Sequence, residues 1–315
     1  MIKSRRKRIK ILRVIDDAIA AAILARLRPA LSAPTAFLRP FRVGAHIAGW
    51  LNDERTARVA GFADVFAVGD DGIRFVPVLH DAASRSAAMA GVAATLAAEG
   101  ALTAWRDERY AVAPALEEAP WFVMERAAAR YFGVQTYAAH VNGVVRDVVG
   151  GAPGMRMWFA RRSNGKAIDP GMLDNLVGGG MAAGVTVLQT QAKEAWEEAG
   201  ISAAIAAGAI PAGTVDIWRE QRDGVQSETI FVADLWLPAE FTPANQDGEA
   251  VGHRLVALDE AARLIALSDG ADEVTADASL VVLDFLLRHD AITAASPFRD
   301  ELSALRHPQA AARRA

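Results

Sequence analysis

The chain of 315 residues contains no cysteine. This absence excludes disulfides, zinc–thiolate sites, iron–sulfur clusters and cysteine nucleophiles. The chain also lacks an uninterrupted apolar run of the roughly 18–20 residues that a membrane-spanning helix needs, so we expect no integral membrane span. It has neither an internal repeat nor a low-complexity linker. A cysteine-free chain is compatible with the cytoplasm, which is the location that we expect.

Concentrated positive charge is found only at the start. Residues 1–13 carry seven basic and no acidic residues, whereas the whole chain has a net charge of −4. A mildly acidic body argues against nucleic acid as a partner. The basic start continues into an amphipathic pattern from Ile11 to Leu27, which Pro29 ends. It could be a membrane-surface helix, a targeting segment or a helix that packs on the body. We favour the last, because transit peptides are poor in acidic residues such as Asp16 and Asp17.

The composition is that of a globular protein, with 52% hydrophobic and 23% charged residues. An Asp-Gly turn at 71–72 lies between two apolar runs and predicts a hairpin. Residues 84–100 and 120–133 are predicted to be helices that end at glycines. These elements indicate a small α+β module, followed by a larger domain of alternating strands. The expected divisions are an N-terminal extension (1–40), the module (41–125), the main domain (126–290) and a C-terminal tail (291–315).

The segment KEAWEEAGI, residues 193–201, is the most informative stretch of the main domain. Glu194, Glu197 and Glu198 are spaced i, i+3 and i+4, so a helix places them on one face, where like charges repel. A divalent cation such as Mg²⁺ or Mn²⁺ would stabilise them, since both prefer oxygen ligands. A solvated acidic helix end is the alternative for the isolated segment.

Glycines flank this acidic helix on both sides. Gly178, Gly179 and Gly180 precede it in what we expect to be a loop, where glycine permits tight turns and close approach to a ligand. Gly200 follows Glu198 and is expected to end the helix in the left-handed conformation.

This arrangement resembles the Nudix box, G-x5-E-x7-R-E-U-x-E-E-x-G-U, in which U is a bulky apolar residue. The alignment places Gly179 at the first glycine and Gly200 at the last, with the three glutamates in their positions. Lys193 replaces the arginine of the box and Val185 replaces its first glutamate, while Ala195 is small for its position. The resemblance implies a Nudix α/β/α sandwich with a mixed sheet, preceded by the small α+β module.

Further segments resemble the Nudix branch that is associated with thiamine pyrophosphokinase. That branch carries an N-terminal module like the domain of unknown function DUF4743, and the resemblance covers roughly residues 40–290. The segments are ERAAARYFGVQTYAAHVNG, MWFARRS, PGMLDNLVGGG and PANQDGE.

The resemblance implies roles for the box residues. Glu197 and Glu198 would bind the metal, Glu194 would be a ligand or the general base, and the Gly179 carbonyl would complete the site. Glu249 would assist catalysis from a later loop, with Asp247 as a substitute, although Asp247-Gly248-Glu249 also fits an ordinary turn.

Other polar residues are candidates for substrate contacts. Arg161, Arg162 and Lys166 lie near the end of a predicted strand and could bind phosphates, or form a solvated basic loop. His140 and Asn142 share a strand face and could contact the organic part of the substrate, or be structural residues. Lys193 is expected to pair with a carboxylate of the box.

We therefore expect a Mg²⁺- or Mn²⁺-dependent hydrolase of a small-molecule diphosphate. The branch implies thiamine diphosphate or its oxidised oxo and oxy forms, cleaved to the monophosphate and phosphate. The alternatives are hydrolysis of nucleotide sugars or dinucleotides, a catalytically silent Nudix sensor and, more remotely, an isomerase. A homodimer is compatible with each of them.

Overall fold

The structure is a computed structural model that describes residues 15–35, 37–149 and 152–308. The basic residues at the start of the chain lie outside these ranges. Helix α1 (Asp17–Ala30) begins where the Asp16 carboxylate accepts a hydrogen bond from the Ile19 N–H at 2.8 Å. Ile23 and Leu27 are completely buried against the main domain. For this part of the chain, the expectation of a helix that packs on the body is confirmed.

The N-terminal module consists of short strands and two helices. Its four-stranded sheet has the order β2-β1-β4-β3, with β1 and β4 parallel, and β5 and β6 form a separate antiparallel pair. The elements are β1 (Arg39–Val43), β2 (His46–Leu51), α2 (Asp53–Ala60), β3 (Phe66–Gly69), β4 (Gly72–Phe75), α3 (Ala82–Ala98), β5 (Arg109–Val112) and β6 (Phe122–Glu125).

Aromatic rings fill the core of this module. The ring of Phe41 lies 5.9 Å from that of Phe122 and 5.8 Å from that of Phe132, measured between centroids, and all three side chains are fully buried. The predicted hairpin joins β3 to β4. The helix predicted over residues 84–100 corresponds to α3, which begins with a capping box between Asp81 and Ser84. The module therefore has a hydrophobic core of its own, and this core extends past the expected boundary at residue 125, as far as Val134.

The helix predicted over residues 120–133 is wrong. Phe122 and Met124 alternate inward along β6, which pairs with β5, and only a short 3₁₀ turn (Arg126–Ala128) follows. The apolar residues of this segment repeat with period two, and their pairing along a neighbouring strand outweighs the helix-favouring alanines that follow.

The main domain is built on a seven-stranded mixed sheet. Its central order is β11-β12-β7-β8-β13, while β10 pairs with β7 and β9 with β8; β12 and β7 are parallel and the other pairs antiparallel. The elements are β7 (Gln135–Val149), β8 (Ala152–Arg162), β9 (Leu173–Asn175), β10 (Val177–Gly180), α4 (Val187–Ala199), α5 (Ala203–Ala206), β11 (Ile210–Gln221), β12 (Gly224–Leu237), β13 (Ala250–Ala257), α6 (Leu258–Leu264), α7 (Ala276–Arg288) and α8 (Arg299–Ala304).

Alternation along the strands gives this sheet two apolar faces. On β12, Ile230 and Val232 pack with α1, α6 and α7, whereas Ala233 and Leu235 pack with α4 on the opposite face. The fold is thus the expected α/β/α sandwich with a mixed sheet, preceded by a smaller α+β module. Within the part of the chain that the structure describes, no helix is both long and apolar enough to cross a bilayer.

Candidate active site

The acidic helix predicted from the sequence is α4. It begins with a reciprocal capping box between Thr186 and Gln189, and it ends at Gly200, whose φ of +64° is the left-handed conformation expected there. The three glutamates share one face but differ in exposure. The Glu198 residue is 8% exposed, and the side chains of Glu194 and Glu197 are 13% and 31% exposed.

The three glycines before α4 form strand β10 rather than the expected loop. A Cβ on Gly178 would lie 3.0 Å from the His140 ring, one on Gly179 would lie 2.3 Å from Cδ of Glu194, and one on Gly180 would lie 1.8 Å from the Tyr110 hydroxyl oxygen. None of the three has a positive φ. Glycine is therefore needed here for close approach of other groups, and not for a turn.

The buried Glu198 carboxylate is bound by the backbone of β10. Its Oε2 accepts a hydrogen bond from the Gly178 N–H at 2.8 Å. Burial raises the pKa of Glu198 well above its ordinary value, and the negative charge of Asp174 adds to this rise. Burial also raises the pKa of Glu194, although the neighbouring Lys193 opposes that rise. Both glutamates thus lie where additional positive charge would favour their ionised forms.

Lys193 pairs with the box carboxylates, as the sequence predicted. Its Nζ donates to Oε1 of Glu194 at 3.0 Å and to Oε2 of Glu197 at 2.5 Å. Burial works against the charged ammonium, but these two hydrogen bonds raise the pKa of Lys193 overall. The ammonium is therefore the cation that holds the two carboxylates together in this structure.

The donor set fits a hard divalent cation in chemistry, although it is not already arranged as a cage. Among the described residues, no three His, Asp or Glu side chains are placed to enclose a metal ion by themselves. Glu198 nevertheless forms no ion pair with any of the described residues, and Glu194 and Glu197 already converge on one cation, Lys193. Sites for Mg²⁺ typically use one or two carboxylates and complete the coordination with water and substrate phosphates.

A cleft of about 380 Å³ lies beside α4 and β10, between the main domain and the N-terminal module. Most of the candidate residues line it: His140, Arg162, Lys166, Gly179, Glu194, Glu197, Asp247 and Glu249. Glu198 is buried beneath this surface, and Arg161 and Asn142 do not line the cleft.

Arg161 and Asn142 have other partners. Arg161 forms an ion pair with Asp272 and donates to the Gly171 carbonyl at 3.0 Å. Asn142 is completely buried, and its amide donates to Oδ1 of Asp234 at 3.1 Å. Both side chains are thus held by contacts within the main domain and lie outside the lining of the cleft.

Glu249 connects the two parts of the protein. Its carboxylate accepts hydrogen bonds from Arg106 of the module, at 2.7 Å, and from Lys166 of the main domain. The Asp247 side chain accepts from the Glu249 N–H at 2.8 Å and stabilises the turn that presents it. Asp247-Gly248-Glu249 therefore forms an ordinary turn, and Asp247 and Glu249 line the cleft from that turn.

The other two candidates are held by neighbouring polar groups. Arg162 donates to Asp174 at 2.7 Å and to the carbonyl oxygens of Ile168 and Asp169. The Nδ1 of His140 lies 2.8 Å from Oδ1 of Asn175. These contacts orient both side chains beside the cleft.

The sequence did not reveal the wall that the N-terminal module contributes. Arg106, Glu108, Tyr110 and Arg126 line the cleft opposite the main domain. Arg106 and Glu108 precede β5, Tyr110 lies within it, and Arg126 follows β6 in the segment that was predicted to be a helix. The run WRDERY, with its adjacent charges and aromatic rings, was the available signal, but nothing local connects it to residues 180–200.

Two family models match the chain, one over the N-terminal module and one over the main domain. Residues 24–136 match the model of a domain of unknown function (DUF4743), and residues 137–278 match the NUDIX domain. In the Nudix domain of Shewanella oneidensis NrtR, solved with ADP-ribose, 11% of residues are identical and the TM-score is 0.38. That match covers 50% of this chain and 90% of the other.

Two curated relatives from Arabidopsis thaliana extend the similarity across both domains. Nudix hydrolase 24, chloroplastic, is 36% identical over 262 residues, which is 82% of this chain and 69% of the relative. Nudix hydrolase 20, chloroplastic, is 35% identical over 79% of this chain and 67% of the relative. The protein thus belongs to the Nudix hydrolases, enzymes that cleave diphosphate linkages.

Proposed function

We propose that this protein is a Mg²⁺- or Mn²⁺-dependent hydrolase that converts thiamine diphosphate, or its oxidised oxo and oxy forms, to the monophosphate and phosphate. The observation that carries the proposal is the carboxylate face of α4, which packs on a strand of three glycines beside a cleft lined by arginine and lysine. Carboxylates that bind a cation and basic groups that bind phosphate are what diphosphate hydrolysis requires.

In this proposal, the metal ligands are Glu194, Glu197 and Glu198, together with the backbone carbonyl of Gly179. A bound divalent cation would supply positive charge to the diphosphate oxygens. Of the three carboxylates, Glu197 is the most exposed to the cleft, and Lys193 already holds it beside Glu194.

The remaining roles fall to side chains around the cleft. Water attacks phosphorus, the bridging P–O bond breaks, and a carboxylate must accept the proton that the water loses. Glu194, Glu197 and Glu249 are the candidates for that base, and all three line the cleft. Lys166 and Arg162 would bind phosphate oxygens, and His140 would contact the organic part of the substrate.

The thiamine assignment rests on resemblance and on the charge of the cleft. Glu228 and Asp277 line the same cleft as the basic residues. Thiamine diphosphate and its oxy form, with anionic phosphates and a cationic thiazolium ring, complement both kinds of charge, whereas the oxo form, whose ring is neutral, complements only the basic residues. We place the activity in the cytoplasm, with which the cysteine-free composition is compatible.

Phosphate release from a panel of compounds tests the proposal. The panel contains thiamine diphosphate, its oxo and oxy forms, ADP-ribose, diadenosine polyphosphates and nucleoside triphosphates. Each is assayed with Mg²⁺, with Mn²⁺ and with EDTA. The variant Glu197→Gln should lose at least about a hundredfold in rate, whereas Glu240→Gln, an exposed glutamate outside the cleft, should match the wild type.

The outcomes separate the alternatives. Metal-dependent release from the thiamine compounds, lost in Glu197→Gln, is the expected result. Release from nucleotides alone would reject the thiamine substrate and keep the diphosphate site. If a folded protein released phosphate from none of these compounds, the hydrolase would be rejected and a ligand sensor favoured.

A further inference from the structure

The N-terminal module places a guanidinium group at the cleft, on the far side from the acidic helix. Arg126 lies directly after β6, and its Nη1 donates to Oε2 of Glu108 at 2.7 Å. Its Cζ lies 5.6 Å from the centroid of the Tyr110 ring, in a cation–π contact. Two residues of the same module therefore hold Arg126 in one orientation.

This orientation brings Arg126 to the strand that carries the site. A Cβ on Gly180 would lie 3.7 Å from Cζ of Arg126, just as one on Gly179 would touch Glu194. Successive residues of a strand face opposite ways, so Glu194 and Arg126 pack on opposite faces of β10, and both line the same cleft. Both groups therefore line the cleft that the diphosphate would occupy.

Arg126 has more free binding capacity than three other cationic groups of the cleft, whereas Arg106 and Arg130 are each paired with a single carboxylate, as Arg126 is. Lys166 is paired with Glu249, Lys193 is paired with two glutamates, and Arg162 donates to a carboxylate and two carbonyl oxygens. Nε and Nη2 of Arg126 donate no hydrogen bond to any residue within the described ranges. Its side chain is 41% exposed, against 18% for Arg162.

We propose that Arg126 binds a phosphate group of the substrate, so that the N-terminal module supplies part of the active site. This inference rests on the proposed function, because it takes the ligand to be a diphosphate. A guanidinium presents paired N–H donors whose geometry matches phosphate oxygens, and each such charge-assisted hydrogen bond is stronger than a neutral one. Glu108 and Tyr110 hold the side chain in place before the ligand arrives, which lowers the entropic cost of binding.

Binding of methylenediphosphonate, a diphosphate that cannot be hydrolysed, tests the inference directly. Calorimetry with Mg²⁺ compares the full-length wild type with Arg126→Gln, Arg126→Lys and the control Arg58→Gln, which removes a guanidinium that pairs with Glu99 elsewhere in the module. We expect Arg126→Gln to raise Kd about tenfold to hundredfold. Arg126→Lys should recover part of this loss, and Arg58→Gln should bind like the wild type.

Kinetics on the hydrolysed substrate give a second result that a purely structural role would not produce. Arg126→Gln should raise KM by a similar factor and change kcat by less than about threefold, because the contact exists before and during reaction. Equal binding by Arg126→Gln and wild type, or failure of the wild type to bind methylenediphosphonate, would overturn the inference.

A measurement on the unmodified sequence covers the case in which Arg126→Gln does not fold. Phenylglyoxal modifies accessible arginines, and peptide mass spectrometry follows Arg126 and Arg58 in the wild type. Methylenediphosphonate should protect Arg126 and leave Arg58 reactive, and equal reaction of Arg126 with and without it would refute the contact. Hydrolysis by the wild type without this protection would reject only the inference, whereas protection without hydrolysis would reject only the proposed function.

Discussion

The two faces of strand β10 meet different parts of the protein. On one face, Gly179 contacts Glu194 of α4, which is only 15 residues further along the chain. On the other, Gly180 contacts Tyr110, which is 70 residues away in the N-terminal module. One side of the cleft is thus formed within the Nudix domain, whereas on the other the N-terminal module packs beside His140 of the main domain.

We expect the two faces of β10 to serve different functions. The α4 side presents carboxylates, which suit a cation and proton transfer, and the module side presents a guanidinium, which suits phosphate. Disturbing each face separately should therefore produce different kinetic effects. The α4 face should determine mainly the rate, and the module face mainly the affinity.

The largest effect is expected from Gly179→Ala. The new Cβ would lie 2.3 Å from Cδ and 2.4 Å from Cγ of Glu194, so the carboxylate must move. A displacement of about 1 Å at a catalytic group lowers rates by about a hundredfold, and we expect that fall in kcat. Steady-state phosphate release measures it.

Gly91→Ala is the matched control for this prediction. Gly91 lies within α3, where a Cβ has nothing within 4 Å, so alanine should leave kcat unchanged and add about 0.5–1 kcal/mol of stability. If Gly179→Ala retained kcat within threefold of the wild type, the position of Glu194 would not determine the rate.

The α4 face was predictable from sequence because all its signals are local. Three glutamates at helical spacing, a glycine after them and glycines before them occupy residues 178–200, and the structure places them together as expected. What the sequence did not show is that the glycines form a strand. Glycine permits both a turn and a close contact, and only the neighbouring side chains distinguish the two.

The module face was not predictable, because its contacts join distant segments. Arg126 begins a stretch rich in alanine and arginine, which favours helix, yet Phe122 and Met124 just before it form a strand by pairing with β5. Asn142 and Arg161 present the opposite problem. The sequence predicted that they contact the substrate, but polar residues on a strand near a site are equally suited to structural contacts. In both cases the deciding factor is a partner that is far away in the chain.

A second prediction examines the sheet beneath both faces. Burial opposes ionisation of Asp234, but hydrogen bonds from His289, Arg288 and Asn142 outweigh it and lower the pKa of Asp234 to about 2. Because the folded-state pKa lies below the unfolded value of about 3.9, ionised Asp234 stabilises the fold above about pH 4. Asp234→Asn should lower the free energy of unfolding by about 2 kcal/mol at pH 7.

The pH dependence of that effect identifies its cause. The stabilisation is lost as the pH falls from about 4 towards 2, so urea unfolding should show wild type and Asp234→Asn converging over this range. A difference that stayed constant with pH would contradict the ionic origin. Since Asp234 does not line the cleft, kcat and KM at pH 7 should both remain within about twofold of the wild type.

The smallest effect is expected from the module face, where Gly180→Ala and Tyr110→Phe form a pair. The new Cβ would lie 1.8 Å from the Tyr110 hydroxyl oxygen but 3.0 Å from Cζ, so removal of the hydroxyl relieves most of the clash. Gly180→Ala should displace Tyr110, and with it Arg126, which raises KM about tenfold while kcat changes little. Tyr110→Phe alone should have nearly wild-type kinetics.

The double variant decides whether the two faces act separately. Gly180→Ala with Tyr110→Phe should recover much of the lost affinity, which corresponds to a coupling of roughly 1 kcal/mol between the two positions. Tyr110→Phe should not rescue Gly179→Ala, because that clash involves Glu194 on the opposite face. Rescue of both variants, or of neither, would mean that β10 shifts as a unit and that the two sides of the cleft are not independent.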